Sequence, residues 1–228
     1  MKLTHYGHAC FLLETQGFSI LFDPFISGNE LARGIDIDAV SCDFILISHG
    51  HADHIADADR IIKNNPGAIV LSSFEVCQWL SARGVVHTIP MNTGGKKDLP
   101  FGSVKCVVAQ HSSSMPDGSY GGHPMGFVIH SAGKTLYFAG DTALTTDMQI
   151  IPRLWGTPDV SLLPVGDHFT MGYEDACIAA EWLHCKHVVA MHYDTFEPIR
   201  VDKGIARDHF ASSGISLTFL QPGESLIV

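Results

Sequence analysis

The segment SHGHADH, residues 48–54, constrains this chain more than any other part of its sequence. It closes an apolar run typical of a β-strand and opens a pattern of apolar residues at helical spacing. Because side chains alternate along an extended segment, His49 and His51 lie on one side of it. Asp53 and His54 follow on the turn into the helix. Imidazole and carboxylate groups crowded in this way suit zinc, manganese, iron or nickel, so the segment predicts a metal site at the end of a strand.

Three later strand-like runs also end in a residue that can bind a metal. VKCVVAQH ends at His111, KTLYFAGD ends at Asp141, and HVVAMHY carries His192 near its end. The ends of strands gather at one edge of a sheet, where α/β folds place their binding sites. Any one of these residues would be weak evidence, but together they agree with the first segment. We therefore expect all of these side chains to share one site.

Strand-like and helix-like runs are mixed from the start of the chain to its end, which favours an α/β or α+β class with helices layered over sheet. The hydrophobic share of 46% suffices for one sizeable core, and we expect one domain over residues 1–228. A β-rich start followed by βα units occurs twice along the chain. That repetition is compatible with an internal two-fold arrangement.

Some stretches carry more specific expectations. Residues 91–102 are rich in turn-forming residues and predict an irregular connection. Residues 112–122 lack periodicity, and their composition predicts a mobile loop, either a lid over the substrate or a plain surface loop. The apolar pattern predicts a helix over residues 144–154 and a pair of strands at the end of the chain.

The charge balance excludes some kinds of partner. The chain has 14 Lys+Arg against 24 Asp+Glu, a net charge of −10, and no basic run. A nonspecific binder of nucleic acids or of anionic membranes needs a basic excess. No apolar run approaches the roughly 20 residues that span a bilayer, and MKLTHYGHACFLLETQ does not read as a signal peptide. We therefore expect a cytoplasmic protein whose scattered cysteines are buried thiols.

The order of the candidate ligands resembles the metallo-β-lactamase superfamily. The His-x-His-x-Asp-His signature is followed by a later His, an Asp after a strand, and a final His. GHACFLLE near the start, ILFDPFISGN at 20–29 and LPVGDHFTMG at 163–172 resemble a narrower bacterial group of metal-dependent hydrolases, UPF0173-like and related to the ascorbate-phosphate lactonases. The resemblance spans the whole chain. It implies an α+β fold, a four-layer αββα sandwich with the site at one edge of two face-to-face sheets.

The resemblance also implies ligands for two divalent metal ions. The first ion would be held by His49, His51 and His111. The second would be held by Asp53, His54 and His192, and Asp141 would bridge the two ions. Zinc is the favoured metal, with manganese, nickel or iron as alternatives. Asp stands at 141, where antibiotic-hydrolysing members commonly have Cys, and this resembles the lactonase, thioesterase and phosphodiesterase branches. His stands at 51, where the oxygen-reducing diiron branch usually has Glu, and this favours hydrolysis over redox chemistry.

The implied reaction is attack on a small anionic substrate by a hydroxide that bridges the two ions. Asp53 is expected to orient this hydroxide. Asp23 would fix a ligand imidazole through hydrogen bonds, or would simply be a turn residue before Pro24. His8 would contact the substrate or support a ligand. The motifs leave these alternatives open.

Further candidates lie in turns flanked by glycine. Asp167 and His168 follow a strand, and His123 stands in the segment GGHPMG. Each of these side chains would lie at the rim of the pocket or would be an ordinary turn residue.

Several substrate classes fit the ligand set. We expect a phosphate ester or diester, or a phosphorylated lactone. A nuclease is the first alternative; the net charge of −10 counts against it, although two bound divalent ions would add positive charge at the pocket. A non-catalytic metal-binding sensor is the second alternative. The resemblance is also compatible with a homo-oligomer.

Overall fold

The computed structural model describes residues 1–228 and contains two seven-stranded sheets. The strands of the first sheet are β1 (Lys2–Gly7), β2 (Cys10–Thr15), β3 (Phe18–Phe22), β4 (Phe44–Leu46), β5 (Ile69–Ser73), β6 (Thr88–Met91) and β14 (Ser225–Ile227). Their spatial order is β14-β1-β2-β3-β4-β5-β6. The pairs from β14 to β3 are antiparallel, and those from β3 to β6 are parallel.

The second sheet repeats this arrangement. Its strands are β7 (Lys96–Leu99), β8 (Gly102–Val108), β9 (Met125–Ser131), β10 (Lys134–Phe138), β11 (Val160–Pro164), β12 (His187–Met191) and β13 (Ser216–Thr218). The order is β13-β12-β11-β10-β9-β8-β7, antiparallel from β7 to β10 and parallel from β10 to β13. Each sheet therefore joins an antiparallel half to a parallel half, in agreement with the two-fold arrangement that the sequence suggests.

Helices connect the parallel strands and cover the sheets. They are α1 (Ala52–Ile55), α2 (Ala58–Asn64), α3 (Phe74–Ala82), α4 (Ile151–Trp155), α5 (Tyr173–Trp182) and α6 (Lys203–Ser212), with 3-10 turns at Glu30–Ala32, Ile37–Ala39, Thr146–Ile150 and Glu197–Ile199. Local sequence fixes where some of them begin. The Ser73 hydroxyl accepts from the Val76 N–H at the start of α3, and the Asp202 carboxylate accepts from two backbone N–H groups at the start of α6. No helix is long and apolar enough to cross a membrane.

The alternation of side chains along the strands builds the layers. Ile20 and Phe22 of β3 belong to the core between the sheets, where the Phe22 ring stacks on Phe138 at 4.7 Å between ring centroids. Leu21, between them, points to the other face and packs with Ile61 of α2 and other helix residues. The predicted α+β sandwich of two sheets flanked by helices is confirmed.

Some details differ from the sequence-based expectations. The connection over residues 91–102 contains strand β7, whose mostly charged and exposed residues hide the strand pattern. The helix expected over 144–154 is a 3-10 turn followed by a short α4, because Pro152 permits only a start there. The last two strands do not pair with each other: β13 joins β12 in the second sheet, and β14 joins β1 in the first.

The loop of residues 112–122 is anchored rather than free. Ser114 and Tyr120 form an isolated β-bridge, and the Met115 side chain between them is buried. The Trp79 indole N–H donates to Asp117 at 2.6 Å and ties the loop to α3. Contacts with distant residues therefore hold a segment whose own composition has no periodicity, and its mobility stays a prediction.

Replacing Phe22 tests the packing between the sheets. Phe22 is fully buried, so Phe22→Ala leaves a cavity against Phe138, and we expect the free energy of unfolding to fall by about 3–5 kcal/mol. Urea denaturation followed by circular dichroism measures this loss. Leu31, which is 52% exposed, is the control, and Leu31→Ala should change stability by less than about 0.5 kcal/mol. Equal losses in the two variants would contradict this account of the core.

Candidate metal centre

Loops at one edge of the two sheets bring the predicted ligands together. His49 lies three residues after β4, and Asp53 and His54 lie on the single turn of α1. His111 lies three residues after β8, Asp141 three residues after β10, and His192 directly after β12. In the second sheet β8, β10 and β12 run in the same direction, because β9 is antiparallel to both β8 and β10. Their carboxyl ends therefore meet at one edge.

The side chains form two groups of candidate ligand atoms. His49, His51 and His111 make the first group, with all three ligand atoms within 4.8 Å of one another. In it, His49 Nε2 lies 2.9 Å from His51 Nδ1. The second group contains Asp53, His54 and His192, and also His8, within the same 4.8 Å limit. These are the two ligand sets expected from the resemblance, with His8 added to the second.

Asp141 lies between the two groups. Its Oδ2 is 3.2 Å from His54 Nε2 and 2.9 Å from His192 Nε2 in the second group. The same oxygen is 3.6 Å from His111 Nε2 in the first group. One carboxylate thus reaches both sets, which is the placement that a bridging ligand requires.

Unpartnered buried atoms test whether the centre suits metal ions. His54 Nε2 and Asp141 Oδ1 are buried and make no hydrogen bond with the protein. Each such atom costs about 1–3 kcal/mol when it has no partner. Nitrogen and carboxylate oxygen donors are those that zinc, manganese, iron and nickel take in proteins. The residues present therefore fit divalent metal ions.

Asp23 fixes two imidazoles from behind. Its fully buried carboxylate accepts from the Ser48 backbone N–H and from the Ser48 hydroxyl, at 2.7 and 2.6 Å. It also accepts from His54 Nδ1 at 2.7 Å. Since the Ser48 hydroxyl donates to Asp23, its oxygen is left to accept from His49 Nδ1, at 2.9 Å. Both imidazoles are thereby oriented with Nε2 toward the centre, as in other sites where a neighbouring group sets the tautomer.

The charges within the centre shift one another's pKa values. Burial alone would raise the pKa of Asp141, but His54 and His192 outweigh it and hold that pKa well below its usual range. Burial alone would lower the pKa of His192, but the carboxylates of Asp141 and Asp53 raise it to about 9. Burial lowers the pKa of His49 well below its usual value. Without metal, the centre therefore combines ionised carboxylates with protonated His192.

Left-handed backbone recurs around the centre. His8, Asp23 and His192 have φ angles of 55°, 39° and 55°, a region that non-glycine residues rarely adopt. Such conformations cost of order 1–3 kcal/mol each and persist where the surrounding structure enforces them. Gly140, with φ 62°, precedes Asp141, and a Cβ there would lie 2.9 Å from the Ser48 Cβ. The close packing of loops around the ligands therefore depends on these turns.

Other predicted residues do not contact the ligands. Asp167 and His168 are exposed, and neither side chain hydrogen-bonds to the centre. Their loop is nonetheless beside it, because the Met171 N–H donates to the carbonyl of Thr142, the residue after Asp141. His123 is exposed and has its nearest aromatic partner in Tyr120 at 6.4 Å.

Sequence reasoning missed two residues that contact the ligands or their neighbours. Ser48 links Asp23 to His49, as described above. Thr195 lies 2.9 Å from His8 Nδ1. Ser48 could have been noticed because it directly precedes the first ligand. Thr195 offers no such signal, since it lies 187 positions from His8 in the chain.

Comparison with known proteins places this geometry in a family. A family model described as a beta-lactamase superfamily domain matches residues 2–192. A UPF0173 metal-dependent hydrolase of Methylacidiphilum infernorum is 46% identical over 228 residues, covering 100% of both chains. The chain belongs to the UPF0173 family of metal-dependent hydrolases. The resemblance stated from the motifs, both to the superfamily and to the narrower group, is confirmed.

Two further matches extend across nearly the whole of this UPF0173 chain. A family member from Thermus thermophilus is 42% identical over 226 residues, covering 99% of this chain and 98% of the other. Among solved structures, the metallo hydrolase Igni18 of Ignicoccus hospitalis is 37% identical with a TM-score of 0.88, covering 99% of this chain and 97% of that one. Two sheets flanked by helices are thus the shared architecture.

Replacing Asp23 in this UPF0173 hydrolase should weaken metal binding. In Asp23→Asn one carboxylate oxygen becomes an N–H₂ donor, so the side chain can no longer accept both from the Ser48 backbone N–H and from the Ser48 hydroxyl and His54, and the support that orients the imidazoles is weakened. Loss of such a partner lowers metal affinity by about 10- to 100-fold. Calorimetric titration with Zn²⁺ or Mn²⁺ measures the change.

The matched control for that variant is Asp57→Asn. Asp57 is also a buried carboxylate that accepts backbone N–H groups, those of Ile26 and Ser27, but it contacts no candidate ligand. The Asp57→Asn variant should lower the melting temperature without a comparable change in metal affinity. The same loss of affinity in both variants would show that Asp23 acts only through stability.

Metal binding should release protons at neutral pH. His192 has a pKa of about 9, so at pH 7 it carries a proton that must leave before Nε2 can bind a metal. Apparent affinity should therefore rise as the pH rises from 7 toward 9 and level off above that value. Calorimetry at pH 7 in buffers of different ionisation enthalpy measures the protons released, and a heat that does not depend on the buffer would contradict the expectation.

Proposed function

We propose that this protein hydrolyses a small anionic substrate at a centre of two divalent metal ions. The observation that carries the proposal is the position of Asp141 Oδ2, within 3.6 Å of imidazole nitrogens from both ligand groups. His49, His51 and His111 would hold one ion. Asp53, His54 and His192 would hold the other, and Asp141 would serve both. Zinc is favoured, and manganese, nickel and iron are alternatives.

Ions held in this way supply Lewis acidity and make water a nucleophile at neutral pH. The chain's own contribution is the arrangement around them. Burial of His49, His54 and Asp141 excludes bulk water from the back of the centre. In that dry environment, charges stabilise one another more strongly than they would in water.

Asp53 is the ligand candidate best placed to handle a proton. Its side chain is 27% exposed, whereas those of His54 and Asp141 are almost fully buried. Its Oδ2 accepts from His8 Nε2, and its Oδ1 makes no hydrogen bond with the protein. The neighbouring histidines hold the pKa of Asp53 below its usual range against the effect of burial. Oδ1 is therefore an ionised, open acceptor that would orient a water molecule at the mouth of the centre.

The positive charge that bound metal ions would supply is the basis for proposing an anionic substrate. No lysine or arginine hydrogen-bonds or pairs with any of the proposed ligands, so the metal ions would be the positive charge that an anion meets. A phosphate ester or diester, or a phosphorylated lactone, fits that demand. The net charge of −10 and this lack of basic contacts disfavour a long nucleic-acid substrate.

Hydrolysis of a chromogenic phosphodiester, with and without Zn²⁺, Mn²⁺ or Ni²⁺, tests the proposal. Removing a general base typically lowers the rate by 10²–10⁴-fold, and we expect a loss of about that size in kcat for Asp53→Asn. Asp59→Asn is the control, because Asp59 pairs with Arg83 at the surface. Turnover that survives complete chelation would overturn the proposal, and bound metal without turnover on esters or lactones would favour the sensor alternative.

A further inference from the structure

The imidazole of His8 has no free nitrogen. The ring is fully buried beside the centre, in the turn between β1 and β2. Its Nε2 lies 3.1 Å from Asp53 Oδ2, and its Nδ1 lies 2.9 Å from the Thr195 hydroxyl oxygen. Both ring nitrogens are therefore occupied by protein groups.

The chemistry of the partners sets the direction of these hydrogen bonds. An ionised carboxylate can only accept, so His8 Nε2 donates to Asp53. In a neutral imidazole the other nitrogen then carries the lone pair, and Nδ1 accepts from the Thr195 hydroxyl at 2.9 Å, a shorter contact than the 3.4 Å from the same hydroxyl oxygen to the Tyr193 carbonyl. The chain of donors runs from Thr195 through His8 to Asp53.

The Thr195 end of this chain is held firmly. The Asp194 N–H donates to the Ile199 carbonyl at 2.8 Å, and the Asp194 carboxylate accepts from the Val201 N–H and pairs with Lys203 at 2.8 Å. The His192 N–H donates to the His8 carbonyl at 3.1 Å, which joins the loop after β12 to the turn that carries His8. Thr195 therefore offers its hydroxyl from a fixed position.

The Asp53 end needs such support. Asp53 lies on α1, a helix of only four residues, and its Oδ2 is 3.8 Å from His192 Nε2 and 3.9 Å from His54 Nε2. The Asp53 side chain is 27% exposed, which makes it the most exposed side chain of the second group. The hydrogen bond from His8 restrains the rotation of this carboxylate.

We propose that Thr195 and His8 are positioning residues that hold the Asp53 carboxylate toward the second ligand group. The inference rests on the proposed function, in which Asp53 binds an ion. It gives a role to Thr195, which lies three residues after His192 but 187 positions from His8. For His8 to bind an ion itself, Nε2 would have to lose the proton that it donates to Asp53, and Nδ1 would have to donate to the Thr195 hydroxyl oxygen instead of accepting from it.

Substitutions of Thr195 separate positioning from other roles. Thr195→Val keeps the shape and removes the donor, while Thr195→Ser keeps the donor. We expect Thr195→Val to lower the affinity for the second equivalent of Zn²⁺ about tenfold, as measured by calorimetry. This is the lower end of the loss seen when a residue that hydrogen-bonds to a metal ligand is replaced. The first equivalent should bind as in the wild type, and Thr195→Ser should restore the second.

Thr15→Val is the matched control. The Thr15 hydroxyl is buried and bonds to that of Ser131 at 2.7 Å, at the end of β2 away from the turn that carries His8. This variant should lower the melting temperature and leave both metal affinities unchanged. Unchanged affinity in Thr195→Val, or equal losses in Thr195→Val and Thr15→Val, would overturn the proposal.

A second variant tests whether His8 is a ligand. His8→Asn suits the left-handed φ of 55°, which asparagine tolerates better than most residues. With Co²⁺ as the probe, a positioning role predicts an absorption spectrum like that of the wild type and a loss of affinity similar to that of Thr195→Val. A changed ligand-field spectrum in His8→Asn, with Thr195→Val unaffected, would make His8 a ligand and overturn the proposal.

The number of Zn²⁺ equivalents bound by the wild type distinguishes a failure of the positioning role from a failure of the proposed function. Two bound equivalents with no effect of Thr195→Val contradict the positioning role alone. A single bound equivalent contradicts the two-ion centre of the proposed function and, with it, the need to position Asp53.

Discussion

Several ionisable side chains buried at one edge of the sheets are the constraint on which the rest of this structure depends. Asp141 stands among imidazoles with one oxygen unpartnered, and His54 also presents a buried nitrogen without a hydrogen bond. Burying charged groups is costly unless they are paired or bind a metal. Their mutual shifts in pKa show partial compensation within the protein. A divalent metal ion would complete it.

The surroundings of the ligands serve to keep them in place. Asp23 and Ser48 orient two imidazoles from behind, through hydrogen bonds of 2.6–2.9 Å. On the opposite side, Thr195 and His8 reach Asp53. Left-handed turns at His8, Asp23 and His192 aim these side chains inward. Such turns are strained locally, and the packed sheets on either side make up for that strain.

The candidate ligand set was visible in the sequence because histidine and aspartate are chemically distinctive and here follow strands. Strands such as β3 and β10 were also predictable from their apolar runs, and the family resemblance implied the two-sheet sandwich. Strand β7 was missed because its residues are mostly charged and exposed. The contacts of the loop of residues 112–122 were not predictable, because the bond between Trp79 and Asp117 joins residues 38 positions apart.

By itself, the sequence determined the family, the αββα class and the residues that converge on the centre, because local patterns and ligand chemistry are properties of short segments. Only the tertiary structure decided that Asp141 lies between the two groups and that Asp23 lies behind His54. It alone also decided that His8 is enclosed between Asp53 and Thr195. These relations join residues that are far apart in the chain, and their geometry arises only when the two sheets pack face to face and bring the strand ends to one edge.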